Sequence, residues 1–208
     1  MAIRIALLLS LLLAATLANA QRHYGPYLGG YLAAGKGTAD WDVAGTTTKV
    51  HHSASGGMGG VQGGFNWQRG ALLLGAQADF GIGEVDGSSR CPNPAFQCKT
   101  QLLSLITLRG RVGPVIGPAV LYATAGVASG TIRASVDNAA GSSDSRSQGH
   151  VGWTAGAGVG LRASRSIQLQ AEYLHVDFAS EEHLLQNNSN KIKFSADFVR
   201  VGVHYRFF

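Results

Sequence analysis

Six ionisable residues, Asp79, Arg109, Arg111, Glu172, Arg200 and Arg206, share one setting: each stands between apolar or glycine neighbours on both sides. In an extended strand successive side chains point to opposite faces. Such a residue therefore lies on the face opposite to its apolar neighbours. Arginines and carboxylates gathered on one side of a sheet can do two things. They can pair across an enclosed space and hold it rigid, or they can line a narrow path for ions. Charges taken out of water must pair or cost several kcal/mol each, so arginine–carboxylate pairs are expected in either case.

The elements that would position these residues show a period of two. At the end of the chain Val199, Val201, Val203, Tyr205 and Phe207 alternate with Arg200, Gly202, His204 and Arg206. Segments of the same kind are expected near 27–35, 58–68, 71–81, 101–113, 119–129, 149–163, 166–178 and 195–208. A soluble sheet also alternates, so the pattern alone is ambiguous. The setting resolves it. Arg4, the apolar run 5–17 and Ala18-Asn19-Ala20 read as a secretory signal peptide over residues 1–20, with Gln21 opening the mature chain. No later run approaches the roughly 18 apolar residues of a spanning helix. The 29 glycines are about twice the usual share. The charged fraction of 14% falls well below the roughly 25% of soluble domains. The connections alternate, short near Gln68, Pro114 and Ser164, long and polar over 36–57, 82–100, 130–148 and 179–194. This combination predicts an all-β chain, an eight-stranded antiparallel up-and-down transmembrane β-barrel over 21–208, apolar towards lipid and polar towards the lumen. Both termini and the short turns face the periplasm, the four long loops face outward, and the location is the bacterial outer membrane.

Other candidate chemistry is sparse. Cys91 and Cys98 are the only cysteines; in an oxidising compartment they are expected to form a disulfide closing a small loop. A metal would need further ligands that no nearby His or Cys supplies. His51-His52 could ligate haem or a metal, but adjacent side chains of an extended segment diverge, so solvated histidines are the expectation. His175 and Asp177 are the nearest approach to the Ser/His/acid set of a lipid-modifying barrel, without an assignable serine. Gly156-Ala-Gly158-Val-Gly160 is a strand repeat, not a dinucleotide fingerprint before a helix. No enzymatic activity, cofactor or metal is expected. The formal net charge of +5 comes from singly scattered basic residues, which argues against nucleic acid as a partner. Tyr24, Trp41, Trp67, Trp153, Tyr173 and Tyr205 are candidates for aromatic girdles at the membrane interfaces.

Five stretches, 108–113, 121–128, 152–158, 171–178 and 199–207, together resemble the small eight-stranded outer-membrane proteins of alphaproteobacteria, the Omp25/Omp31-like porin family. The matches run in order through most of the mature chain. The resemblance implies an architecture like the transmembrane domain of OmpA. It implies a mainly structural and surface-antigenic role, with haemin binding claimed for some members. It also implies recognition of the terminal aromatic strand, Tyr205, Phe207 and Phe208, by the outer-membrane assembly machinery. Two departures stand out. Gln77 and Gly160 occupy positions where the family often carries Glu, and Phe208 lies one residue beyond the usual terminal aromatic.

The functional expectation is a structural barrel that contributes to envelope integrity and displays surface loops among outer-membrane lipid and lipopolysaccharide. Loop-borne binding of haemin or a host surface is the alternative, and a narrow porin-like channel comes third.

Overall fold

The computed structural model describes residues 24–42, 49–90, 96–138, 143–185 and 188–207. Eight strands follow in chain order: β1 (Gly25–Asp42), β2 (Lys49–Arg69), β3 (Leu72–Arg90), β4 (Phe96–Ile116), β5 (Ala119–Asn138), β6 (Ser143–Arg162), β7 (Ile167–Leu185) and β8 (Asn188–Arg206). Each pairs antiparallel with its neighbours, and β8 returns to β1 through a register running from Tyr27↔Arg206 to Asp42↔Lys191. The sheet is thus a closed barrel. Closure removes the free edge that an open sheet would expose to lipid, where no water can satisfy it.

The alternation is physical in origin. Leu28, Leu32, Val61, Phe80, Ile106, Leu108, Val127, Val151, Leu169, Val199, Val201 and Val203 all stand on the outside and are about half exposed or more. A continuous apolar belt of that extent would be an aggregation surface in water; against acyl chains it needs no cover. The intervening residues point inward and are buried, including Gln62, Gln77, Asp79, Thr107, Arg109, Arg111, Glu172 and Arg200. Aromatic residues mark the two ends of the belt. Tyr24, Phe65 and Trp67 contact one another in series near the short-turn end (ring centroids 5.4 and 4.5 Å apart), while Trp153 and Tyr173 stand exposed towards the other. Trp41 lies in β1, its side chain outside the described residues.

The short-turn end is tight. Gly70 (φ 61°) and Gly117 (φ 59°) open two of the turns, in a backbone region that side chains other than glycine's seldom occupy. The second turn is shorter than the sequence suggests, because β4 continues through Pro114 to Ile116. In the third turn the Ser164 hydroxyl accepts the Ile167 backbone N–H (3.0 Å).

One expectation needs correction. The segments 36–57, 82–100, 130–148 and 179–194 begin and end as strand, since β1 reaches Asp42, β2 starts at Lys49, β3 reaches Arg90 and β5 reaches Asn138. In these extensions polar residues stand in both phases of the sequence, so the apolar–polar alternation fades from it. The backbone ladder does not depend on that alternation and continues. The signal peptide falls outside the described residues.

Candidate functional site

The lumen is the candidate site, and the inward phases of β3, β4, β7 and β8 build it. Arg109, on β4, is wholly buried and its guanidinium is fully engaged. Nη2 donates to Asp79 Oδ2 of β3 (2.7 Å), and Nη1 donates to Glu172 Oε1 of β7. Nε donates to the Thr107 hydroxyl (3.0 Å), and Nη1 also reaches the Thr124 hydroxyl of β5 (3.3 Å). Asp79 additionally accepts the Thr107 hydroxyl (2.6 Å) and faces Arg200 of β8 (3.2 Å). Glu172 accepts Tyr122 Oη (3.1 Å) and Gln170 Nε2 (2.6 Å). Arg200 lies over the Tyr31 ring, 3.8 Å from its centroid. One layer of ion pairs and hydrogen bonds therefore ties five of the eight strands together across the interior. Charge-assisted bonds of this kind are the strong ones.

Arg111 and Arg206 stand apart from this layer. Arg111 packs over the Tyr122 ring (4.0 Å) and donates to Tyr27 Oη (2.9 Å) and Gln77 Oε1 (3.1 Å). From there hydrogen bonds continue through Gln77 to Gln62 (3.1 Å) and from Gln62 to His204 (2.5 Å). Gln77, where the family often has Glu, is thus an uncharged link in a second chain of contacts. Among the described residues neither Arg111 nor Arg206 pairs with a carboxylate.

On the outer side of the charged layer the same inward phase turns apolar. Met58, Val85, Leu102, Leu105, Ile132, Leu174, Val176, Phe178 and Phe198 form one buried cluster. This collar fills the lumen where the sequence suggests only polar contents, and it was legible only as apparent breaks in alternation. Leu174 and Val176 follow Glu172 in phase on β7, and Phe198 precedes Arg200 on β8. Phe178 occupies space left open at Gly130, and Phe198 that left open at Gly35.

Gly126 shows how closely the wall is drawn around Arg109. The two residues are register partners on β5 and β4, and a Cβ at Gly126 would overlap the Leu108 carbonyl oxygen and approach Arg109 Cα (2.7 Å). Both are backbone atoms, so relief requires the strands to separate. Gly126→Ala is therefore expected to cost roughly 1–3 kcal/mol. Urea unfolding of the refolded barrel would read it, and an unchanged midpoint would count against this close approach.

The remaining candidates are placed as follows. His175 does not pair with Asp177; its Nδ1 lies 2.7 Å from Asp197 Oδ1 of β8, and Tyr173 Oη donates to the same oxygen (2.6 Å). This group lies on the outside of the wall, where the register partners of His175 are Ala155 and Asp197, neither a serine nucleophile. Tyr205 faces outward and its ring meets Phe207 edge-on at 5.4 Å; Phe208 is outside the described residues. So is Cys91, while Cys98 lies in β4 with its side chain outside them, so the Cys91–Cys98 pairing lies beyond what the structure describes. His51 and His52 lie in β2, opposite Asp40 and Ala39 of β1.

Comparison with known proteins agrees with this architecture. Residues 5–207 match the model of the outer membrane protein beta-barrel domain. The 22 kDa outer membrane protein of Rhizobium leguminosarum bv. viciae is 29% identical, over 86% of this chain and 77% of its own. The 31 kDa outer-membrane immunogenic protein of Brucella melitensis is 32% identical, over 74% of this chain and 68% of its own. Among solved structures, the outer membrane protein OprG of Pseudomonas aeruginosa superposes with a TM-score of 0.55 at 15% identity, covering 90% of this chain and 98% of its own; at that identity the likeness is one of fold. An apolar belt around a closed barrel, and a family match running almost end to end, make this chain a member of the outer-membrane β-barrel family, with the alphaproteobacterial outer-membrane proteins among its relatives.

Proposed function

We propose that this protein is a structural, non-enzymatic component of the outer membrane: a sealed barrel that braces the wall and holds four long hairpins above the surface. The observation that carries the reading is the double closure of the lumen. The charged layer centred on Arg109 has no exposed side chain among Arg109, Asp79 and Glu172, and the apolar collar lies directly outside it. Eight-stranded barrels are just wide enough for side chains to fill, and this one is filled by two chemically different layers. The hairpins fit a display role because their strands continue past the lipid belt. A relative described as an outer-membrane immunogenic protein is consistent with display at a surface. Loop-borne binding of haemin or a host surface would add a function to the same scaffold.

Planar-bilayer recording of the refolded protein tests the seal. No conductance steps are expected across a salt series. Discrete steps that disappear when Arg109 or Arg111 is replaced would show the lumen to be the ion path and overturn the wall-protein reading.

A further inference from the structure

The interior carries more positive charge than its carboxylates can balance. Arg109, Arg111, Arg200 and Arg206 are buried, while Asp79 and Glu172 are the buried carboxylates among the described residues. Both carboxylates are occupied by Arg109 and Arg200. Arg111 and Arg206 lie on the short-turn side of that layer, Arg111 two residues beyond Arg109 on β4 and Arg206 at the end of β8, with Arg162 at the end of β6, beside the third short turn.

Arg111 and Arg206 are more than nine-tenths buried. Nε and Nη2 of Arg111, and Nε and Nη1 of Arg206, are enclosed without a hydrogen-bond partner. Tyr27 connects the two residues: Arg111 donates to its hydroxyl, and Arg206 is its register partner on β8. A guanidinium cannot shed its proton to escape this situation. Unpaired and enclosed, it keeps the desolvation cost of its charge. The stacking of Arg111 on Tyr122 offsets part of that cost but supplies no acceptor for its free N–H groups.

We propose that the periplasmic part of the lumen is a binding site for a small inorganic anion, chloride or phosphate, held between Arg111 and Arg206 and reached past Arg162 at the mouth. Planar guanidinium groups suit such a ligand: Arg111 offers the parallel N–H donors of Nε and Nη2, and Arg206 adds N–H donors from Nε and Nη1. Asn66 and Gln170 each enclose an unpartnered carboxamide oxygen, so water can share the space, but water would leave the excess charge in place. The site is independent of whether the lumen conducts, because it needs access from one side only.

The test follows thermal unfolding of the refolded barrel in gluconate at constant ionic strength, replacing gluconate stepwise with chloride or, separately, with phosphate. A saturable rise in the unfolding midpoint is expected with at least one anion. Arg206→Gln should raise the half-saturating concentration by about tenfold or more, and Arg165→Gln, in the exposed turn, should leave it unchanged. A response to one anion alone identifies the ligand. No saturable rise, or the same rise in Arg206→Gln, would overturn the proposal and leave water as the occupant. Should Arg206→Gln fail to refold, crystals of the unaltered protein soaked in bromide, and others soaked in arsenate as the stand-in for phosphate, decide the matter. An anomalous peak between the two guanidinium groups with either anion supports the site, and none with both overturns it.

Discussion

Replacing Arg109 by methionine is expected to destabilise the refolded barrel by about 3–5 kcal/mol, the usual cost of stranding buried charges when one partner is removed. The side chain is long and unbranched, so methionine can fill most of its volume, and the loss is electrostatic rather than a cavity. Asp79 would retain Thr107 and Arg200, but Glu172 would lose its nearest cation, with Arg200 Nη1 4.0 Å away. Adding Glu172→Gln to the methionine variant should recover much of the loss, because Asp79 keeps Arg200 as its partner and no carboxylate is then stranded. Urea unfolding in lipid vesicles, followed by tryptophan fluorescence, measures both changes. A single variant within about 1 kcal/mol of the parent, the range of exposed pairs, would mean that the layer is hydrated rather than closed. The single substitution should not open a pore either, since the apolar collar stands in series with the charged layer.

The sequence exposes the barrel most clearly where lipid enforces contrast. Val199, Val201 and Val203 against Arg200 and Gly202 can be read at once, because one face meets acyl chains and the other the lumen. Contrast fails in two places. Above the belt, residues such as Ser53 and Thr38 are register partners in a continuing ladder, yet neither face is apolar, so the strand resembles a loop. Within the collar, Leu174 and Val176 share a phase with Glu172, so the inward face loses its polar signature although the strand is unbroken. Partner choice was hidden for a geometric reason. Asp177 lies two residues from His175 on the same strand, about 7 Å along it. Asp197 is the register partner of His175 on β8, where side chains approach to about 5 Å. The charged positions could be read from phase alone; which of them pair depends on register, which no single segment reveals. For the same reason the sequence separates neither Arg109, fully engaged, from Arg111, nor either from Arg206 without a carboxylate.

The collar makes the second large expectation. Phe198→Ala should cost about 3–5 kcal/mol, as for other buried aromatic side chains truncated in a core, and Phe178→Ala a similar amount. The two rings fill openings left by glycines, Phe198 at Gly35 and Phe178 at Gly130. A barrel wall closed by hydrogen bonds on every strand has little freedom to collapse into the space left behind, which places these sites towards the upper end of the range. Removing both rings admits water as far as the charged layer, yet the Arg109 pairs still block the passage. Conductance should therefore remain absent in Phe178→Ala/Phe198→Ala and appear only when Arg109→Ser is added, provided the triple variant still refolds. Conductance already present in the double variant would show that the collar alone is the seal and that the ion pairs serve the wall. If the triple variant refolds and stays silent, the second chain of contacts from Arg111 through Tyr27 and Gln77 to Gln62 would have to be the closing layer. Ordering the three layers by conductance in this way separates what holds the barrel together from what keeps it shut.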